Sequence, residues 1–371
     1  MFTEVQTAIP PFIADLDYEP SPQVSADLEQ AVIAASSLDL EFGSQMASLG
    51  TFLLRTESVA SSRIERVDAT MDNLARAVVG IKATPEAQST IAATRALTAM
   101  VTVAGSTGRI ELEDILDAHR QLMRDDPTDG RYAGTLRTMQ NWIGGSNHSP
   151  RGAVHVPPPP ELVPDLMTDL VRFANRQDMP TIAQAAIAHA QFESIHAFTD
   201  GNGRIGRALV NAVLRRRGVT SRAVIPIASV MVADVDRYFT LVNSYRNGEA
   251  GQFISYLADA TVRASREARA SAVELAAMPA RWRERVHPRG GSAAGRLIDI
   301  LLEHPALDAG TAALLIGAST SSTYSAIDQL VVAGVLHPVT QSKRYLAWAA
   351  TDVMDEIESL NLRLRTTTDR E

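Results

Sequence analysis

Cysteine is absent from all 371 residues of the sequence, which excludes a disulfide framework, a thiolate nucleophile and a cysteine-ligated zinc site. No apolar run is long enough to cross a bilayer. Residues 1–11 also lack the basic start and the apolar stretch of a signal peptide. These absences lead us to expect a cytoplasmic protein without a membrane anchor.

An excess of positive charge is absent as well, because 43 acidic residues outnumber 35 lysines and arginines for a formal net charge of −8. The chain as a whole therefore lacks the basic signature of a nucleic-acid-binding protein. Its hydrophobic fraction of 45% and charged fraction of 21% are ordinary for a globular protein. At this length, two or three domains are expected rather than one.

Residues 196–207, HAFTDGNGRIGR, concentrate the chemically useful side chains of the sequence. Apolar residues at helical spacing lead into this stretch from Ile182 and continue after it as far as Leu214. The pattern predicts a helix end, a glycine loop and a new helix start. Because the first amides of a helix lack internal partners and lie at the positive end of its dipole, such a loop suits phosphate.

The individual residue types agree with phosphate chemistry. Gly201 and Gly203 allow a tight turn and a close approach of the backbone to a ligand. Two arginines three positions apart on the following helix can reach oxygens of one polyphosphate. Asp200 offers the hard oxygen that Mg²⁺ takes alongside phosphate. His196 stands where a base can accept a proton from an attacking hydroxyl.

The same stretch contains a G-x-G-x-x-G pattern at residues 201–206, which is also the fingerprint of dinucleotide-binding proteins. That fingerprint requires a strand before it and an acidic residue about 20 positions later. A helix is predicted before it here, and residues 224–227 contain no acid. The context therefore argues against a Rossmann fold.

In these residues the sequence resembles the Fic (filamentation induced by cAMP) family, whose motif is H-P-F-x-[D/E]-G-N-G-R-x-x-R. Eight of the nine named positions agree, and the exception is Ala197 in place of proline. Family members mostly transfer AMP from ATP to a hydroxyl of a target protein. The resemblance implies that His196 is the general base, that Asp200 holds Mg²⁺, and that phosphate is bound by Gly201, Asn202, Gly203, Arg204 and Arg207.

Many family members also carry an inhibitory helix with the pattern [S/T]-x-x-x-E-[G/N]. Ser61 and Glu65 fit this pattern, whereas Arg66 stands where the family has glycine or asparagine. By resemblance, Glu65 would pair with Arg207 and so occupy a guanidinium that ATP needs, since charge-assisted pairs of this kind are strong. The alternative is an ordinary surface glutamate on a helix.

Residues 130–160 are rich in Gly, Asn, Ser and Pro, and a structureless connector of this length is uncommon in a compact domain. Residues 137–145 and 153–156 are predicted to form a short two-stranded flap, which in Fic proteins holds the target segment by strand addition. A plain connecting loop is the alternative. The resemblance also places an adenine-contacting wall near Tyr238 and Asn243, although these residues can equally belong to the core.

The C-terminal region is predicted to contain a helix-turn-helix followed by two strand-like segments around a polar turn at Gln341. This is the order of a winged helix, a domain that commonly follows Fic cores. Between residues 292 and 350, three lysines and arginines face four acidic residues. Because phosphate neutralisation dominates DNA affinity, a protein-docking or dimerising module is at least as well supported as a DNA-binding one.

We therefore predict an all-α fold that begins with an N-terminal helical region (1–110), which includes the inhibitory helix, and a Fic core (111–260) with a small β-hairpin flap. A basic helical linker (261–290), a winged helix (291–350) and a C-terminal helix or tail (351–371) follow. The predicted function is autoinhibited, Mg²⁺-dependent transfer of AMP from ATP to a serine, threonine or tyrosine hydroxyl of a protein. Two alternatives stay open: a nucleotide-sensing transcriptional regulator, and related chemistry at the same site, such as removal of AMP or transfer of another phosphate-linked group. The sequence names neither the target nor the oligomeric state, so a homodimer also stays open.

Overall fold

The computed structural model describes residues 5–41, 46–146, 148–340 and 346–368. Within these ranges the chain forms fifteen α-helices and one three-stranded sheet, so the predicted, mainly helical class is confirmed. None of the helices in the described part of the chain combines the length and the apolar character that a membrane crossing requires.

The helices are α1 Pro22–Glu41, α2 Met46–Ile64, α3 Met71–Val79, α4 Pro85–Thr107, α5 Leu112–Met123, α6 Val163–Ala174, α7 Thr181–Ile195, α8 Asn202–Arg216, α9 Ile227–Met231, α10 Val235–Arg246, α11 Ala250–Val286, α12 Ala293–Ile300, α13 Ala309–Ile316, α14 Thr320–Val332 and α15 Thr351–Thr368. The strands are β1 Ala306–Asp308, β2 Leu336–Pro338 and β3 Ala347–Ala350.

The chain divides into two compact units, each assembled from separate stretches of sequence. The first unit comprises Met1–Ser36, Ala92–Ser221 and Asp234–Val262. The second comprises Ser37–Ile91, Arg222–Ala233 and Arg263–Glu371. Residues 196–207, which are predicted to bind phosphate, therefore lie in the first unit, and the residues of the predicted inhibitory helix lie in the second.

Helix α7 forms the centre of the first unit, because all 15 of its residues are buried. A helix that is buried on every side belongs to a core, and α7 packs against α6, α8 and α10. The approach of α8 is close at Gly206, where a Cβ atom would lie 2.8 Å from Glu193 Oε1 and 3.0 Å from Phe192 Cδ1. This tight packing holds the end of α7 beside the start of α8, which is where the motif lies.

An N-terminal arm without regular structure precedes α1 and is fixed to the first unit by hydrogen bonds. The amides of Ile13 and Ala14 donate to the carboxylate of Asp169 at 2.6 and 3.0 Å. The Asp169 side chain is on α6 and is 6% exposed. Farther toward the N-terminus, the amide of Ala8 donates to the carbonyl of Val156 at 2.8 Å. The arm therefore contacts both the helical core and the segment predicted as a flap.

The predicted flap is an antiparallel pair of segments joined by isolated bridges, rather than a hairpin of two regular strands. The amide of Ile143 donates to the carbonyl of His155 at 2.8 Å, and that of Val154 donates to Ile143 at 2.7 Å. Left-handed glycines interrupt the extended backbone that a longer ladder needs. Their φ angles of 73° to 76° are found at Gly144, Gly145 and Gly152.

The three strands of the second unit form an antiparallel sheet in the order β1-β3-β2. Leu307 pairs with Trp348, and Leu336 pairs with Ala350. Helices α12, α13 and α14 pack against one another, and Asp308 begins α13 by accepting the amide of Thr311 at 2.9 Å. The turn predicted around Gln341 lies outside the described residues.

Helix α11 continues for 37 residues and passes through Pro279, so it includes most of the predicted linker. A proline in a helix interior removes a hydrogen bond and clashes with the preceding turn. Packing beyond the proline offsets this cost, because Trp282 is fully buried and its indole N–H donates to Asp352 at 2.7 Å. Tertiary contacts therefore override the local signal for a break.

Candidate active site

His196 follows the last residue of α7 and has a left-handed backbone, with φ of 50° and ψ of 61°. Its amide donates to the carbonyl of Phe192 at 2.9 Å, which closes the final turn of the helix. Left-handed residues other than glycine are uncommon, and histidine is enriched among them. The imidazole consequently faces the motif loop, where Asn202 Nδ2 lies 3.4 Å from its Nδ1.

The guanidinium of Arg137 caps the carboxyl end of α7. Its Nε donates to the carbonyl of His196 at 2.8 Å, and its Nη2 lies 3.4 Å from the carbonyl oxygen of Ile195. Arg137 is 3% exposed and also donates to the carbonyl of Pro158 at 2.6 Å. A cation suits the negative end of a helix dipole, and the last carbonyls of a helix need outside donors. Sequence reasoning missed this residue.

Gly201 starts the helix that follows the loop. Its φ of 79° is left-handed, and a Cβ atom there would lie 2.9 Å from Leu122 Cδ2. Both the backbone conformation and the available space therefore require glycine. The first helical bond runs from the amide of Ile205 to the carbonyl of Gly201 at 3.1 Å. The amides of Asn202 and Gly203 thus belong to the first turn of α8, where helical partners are lacking.

The side chain of Asn202 stabilises the loop from within. Its Oδ1 accepts the amide of Phe198 at 2.9 Å, and its Nδ2 donates to the Phe198 carbonyl at 2.9 Å. Only 3% of Asn202 is exposed. The side chain therefore fixes the path of the loop, and its backbone amide is the group placed at the helix start.

His119 on α5 supports the same loop and was not identified from the sequence. Its ring stacks on Phe198 with centroids 3.7 Å apart and planes 3° from parallel. Its Nδ1 accepts the amide of Gly134 at 2.9 Å, and its Nε2 donates to the carbonyl of Asp200 at 3.0 Å. Burial lowers the pKa of His119 to about 4, which keeps the ring neutral in this role.

The charged motif residues differ in their exposure. The Asp200 carboxylate is 53% exposed and accepts a contact from Arg204 Nη2 at 3.3 Å. Arg204 and Arg207 are both buried, at 7% and 2% exposure. They project from the first and second turns of α8, as the three-residue spacing predicts. The motif therefore combines an accessible carboxylate with two guanidinium groups held inside the protein.

The environment of His196 keeps its imidazole neutral. Desolvation lowers its pKa to about 3, with further contributions from the charges of Arg246, His155 and Arg137. A neutral imidazole has a lone pair on one ring nitrogen, which is the form that a general base requires.

The two residues predicted near adenine occupy different environments. Tyr238 is 1% exposed, and its hydroxyl makes a 2.9 Å hydrogen bond to His189 Nε2. This burial favours the core role that the sequence left open. Asn243 is partly buried, and its Oδ1 accepts Arg246 Nη1 at 2.7 Å.

Ser61 and Glu65 lie at the carboxyl end of α2 in the second unit. Ser61 is 5% exposed, whereas Glu65 is exposed and directly follows Ile64, the last helical residue. The predicted inhibitory glutamate therefore lies at a helix end, with its side chain accessible.

The turn that ends α2 requires a left-handed residue directly after Glu65. Arg66 has a left-handed φ of 60°, and its amide donates to the carbonyl of Arg63 at 3.0 Å. The amide of Val67 donates to Ser62 at 3.0 Å, which completes a Schellman motif. Glycine and asparagine adopt this conformation most readily. Arg66 fills the position at a cost in backbone strain.

Known proteins have sequences similar to the segment that contains this candidate site. The model of the Fic/DOC family matches residues 109–214, so this segment is similar to a Fic domain. The protein adenylyltransferase Fic of Drosophila erecta is 31% identical over 156 residues, which cover 41% of this chain and 28% of the fly protein. The protein of the same name from Culex quinquefasciatus is 30% identical over 158 residues, or 42% of this chain and 28% of its own. The chain thus spans under a third of the length of these relatives.

Solved structures show the same fold. A Fic family protein from Desulfovibrio desulfuricans G20 has a TM-score of 0.57 at 20% identity, and the match covers 90% of this chain and 97% of that protein. A Fic domain containing signaling protein from Bacteroides thetaiotaomicron VPI-5482 has a TM-score of 0.53 at 22% identity, with coverage of 67% and 97%. The likeness to the first of these extends over both compact units.

Proposed function

We propose that this protein transfers AMP from ATP to a hydroxyl group of a protein. The observation that carries the proposal is the loop from His196 to the start of α8, in which a neutral imidazole, an accessible carboxylate and the N-terminus of a helix lie together. The names of the Drosophila and Culex relatives, which are protein adenylyltransferases, support the same chemistry.

The triphosphate of ATP would bind at the N-terminus of α8. Amides of the first helical turn and the positive end of the dipole favour anionic oxygens there. Arg204 and Arg207 supply guanidinium groups, which form strong charge-assisted hydrogen bonds to phosphate. Since both arginines are buried, they are held in place before the nucleotide arrives and lose little side-chain entropy on binding.

His196 would act as the base in the transfer step. Its unprotonated nitrogen takes the proton of the serine, threonine or tyrosine hydroxyl as the oxygen attacks the α-phosphorus of ATP. A bond forms between that oxygen and the phosphorus, and the bond from the phosphorus to pyrophosphate breaks. The helix N-terminus stabilises the negative charge that develops on the α-phosphate.

The residues of the site fit Mg²⁺ held mainly by the nucleotide. Mg²⁺ is commonly bound through one or two carboxylates, with phosphates and water completing its shell. Asp200 offers one accessible carboxylate beside the phosphate-binding helix start. No cluster of three or more His, Asp or Glu side chains suited to a metal occurs in the part of the chain that the structure describes. When bound, the ion would neutralise charge on the phosphates.

We also propose that Glu65 inhibits the reaction by pairing with Arg207. The proposal rests on the spacing of Ser61 and Glu65 and on the exposure of Glu65 at the end of α2. A carboxylate on this guanidinium would compete with the outer phosphate of ATP. A preference of about 1.4 kcal/mol for the inhibited state is enough to suppress the productive state tenfold.

Labelled ATP and Mg²⁺, incubated with the protein and cell lysate, test both proposals. We expect Glu65→Gly to label a target several-fold faster than wild type at saturating ATP, and His196→Ala in that background to abolish labelling. Binding of ATP should survive in the His196→Ala variant, because the phosphate contacts come from other residues. Full activity of His196→Ala would remove the base assignment, and equal rates of wild type and Glu65→Gly would remove the inhibitory one.

For residues 291–350 we propose a winged helix that docks proteins. The order α12, β1, α13, α14, β2 and β3 supports the winged helix, and the balance of three basic against four acidic residues supports protein over DNA. Deletion after Gly290 should preserve self-labelling and reduce labelling of the target. Tight, sequence-specific DNA binding by the full chain at physiological salt would instead favour the regulator alternative.

A further inference from the structure

Two side-chain amides face the same ring nitrogen of His196. Asn141, on the first segment of the flap, places its Nδ2 3.0 Å from His196 Nδ1 and 2.9 Å from the carbonyl oxygen of Phe198. Asn202 places its own Nδ2 3.4 Å from the same His196 Nδ1. The other ring nitrogen, Nε2, is therefore the one left to meet a substrate.

Backbone partners settle which atom of each amide faces the imidazole. The Asn141 atom near the ring also contacts the carbonyl of Phe198, which only an NH₂ group can satisfy. Asn202 is fixed twice, since its Oδ1 accepts the amide of Phe198 and its Nδ2 donates to the carbonyl of Phe198. Both groups next to His196 Nδ1 are therefore hydrogen-bond donors.

A nitrogen that faces donors must accept, so His196 Nδ1 carries the lone pair in this arrangement. The low pKa of His196, about 3, means that the ring holds a single proton at neutral pH. That proton is then on Nε2. A base that attacks through Nε2 needs its lone pair there, and the arrangement seen in the structure is consequently a resting one.

We infer that Asn141 is a positioning residue that holds His196 in the tautomer protonated at Nε2, and that a target strand docked on the flap draws the Asn141 amide away. The inference rests on the proposed function. Asn141 lies two residues before Ile143, which bridges the two flap segments. The backbone of a docked strand would offer carbonyl oxygens to the amide. Exchange of the tautomer moves one proton from Nε2 to Nδ1 through water and leaves the net charge unchanged.

Nitrogen NMR of the full chain labelled with ¹⁵N-histidine tests the assignment directly, because two-bond couplings differ between the two tautomers. The signal of His196 is identified by its loss in His196→Ala. We expect protonation at Nε2 in wild type, and a mixture of tautomers in Asn141→Leu and Asn141→Ala. Gln140→Leu is the matched control, since Gln140 Nε2 donates to the carbonyls of Asn141 and Pro157 rather than to the ring. This control should keep the wild-type tautomer.

Kinetics test the consequence in the Glu65→Gly background. Asn141→Leu should lower KM for the target about fivefold, because docking no longer has to break a hydrogen bond of ordinary net strength. A weaker flap contact would instead raise KM for the target.

Either of two results would overturn the inference: a wild-type ring protonated at Nδ1, or an unchanged tautomer in both Asn141 variants. A fall in kcat with the tautomer unchanged would likewise show a merely structural role. The spectra are recorded without ATP or target, so they are independent of the chemistry. Absence of AMP transfer from every variant, together with a ring protonated at Nε2, would refute the proposed function and not the tautomer assignment.

Discussion

Acidification should destabilise the first unit well before its carboxylates titrate, because three of its histidines are buried in the neutral form. His119, His155 and His189 are 1%, 5% and 0% exposed. Desolvation is the leading cause that lowers their pKa values from 6.5 to about 4, 4 and 3. Between pH 6.5 and about 4, the unfolded chain therefore binds protons that the folded unit excludes.

The sign of the effect follows from proton linkage. Since the unfolded state binds more protons in this window, stability is greatest above pH 6.5 and is lost as the pH falls. Between pH 7 and pH 5, each of the three histidines contributes a loss of about 2 kcal/mol. The sum for these three histidines is about 6 kcal/mol, which is comparable to the whole stability of many domains. His196, whose pKa is likewise lowered to about 3, adds a further loss of the same sign.

Hydrogen exchange measured by mass spectrometry on peptides of α7 gives the opening free energy of this unit across pH 5 to 7. The matched perturbation is His189→Gln, which keeps a polar group near the Tyr238 hydroxyl. The variant should be less stable at pH 7 but should lose about 2 kcal/mol less between pH 7 and pH 5, because one proton site is removed. An opening free energy that does not change with pH in wild type, or that falls equally steeply with pH in wild type and in His189→Gln, would refute the reasoning.

Three further predictions concern packing and backbone. Gly206→Ala should lower the free energy of unfolding in urea by about 1–3 kcal/mol, because the added methyl group overpacks against Glu193. Gly251→Ala should cause no such loss, since a Cβ atom there would meet nothing within 4 Å. Equal losses in the two variants would contradict the packing argument. Arg66→Gly should raise the thermal midpoint by relieving left-handed strain of about 1 kcal/mol, and Arg66→Ala should not, since alanine keeps the Cβ atom. Asp169→Asn should speed amide exchange in the N-terminal arm, because a hydrogen bond to a charged acceptor contributes about 1.5–3 kcal/mol; unchanged exchange would show that the arm is held elsewhere.

The parts of the site that follow from sequence are those with local causes. The helix end before His196 and the helix start at Asn202 are predicted by apolar spacing and glycine, and the structure contains both. The helix at residues 309–316 similarly begins at the carboxylate of Asp308. In each case the signal lies within a few residues of the feature that it determines.

The remaining parts depend on contacts between distant positions. His119 meets the motif loop across 81 positions, and Arg137 meets the end of α7 across 58 and 59 positions. Asn141 reaches His196 across 55 positions. A single sequence contains no periodicity or spacing that links such residues, so these supports become visible only in the folded chain. The passage of α11 through Pro279 has the same origin, because the burial of Trp282 is a tertiary effect.

The guanidinium of Arg137 connects the flap to His196 through hydrogen bonds. It donates to the carbonyl of Met139 at 3.2 Å within the flap and to that of His196 at 2.8 Å. Under the proposed function, a target strand that paired with this segment would be held at a fixed distance from the imidazole. Sliding the strand by one residue moves each side chain by about 3.3 Å and turns it to the opposite face. The choice of hydroxyl on the target would therefore be a matter of strand register.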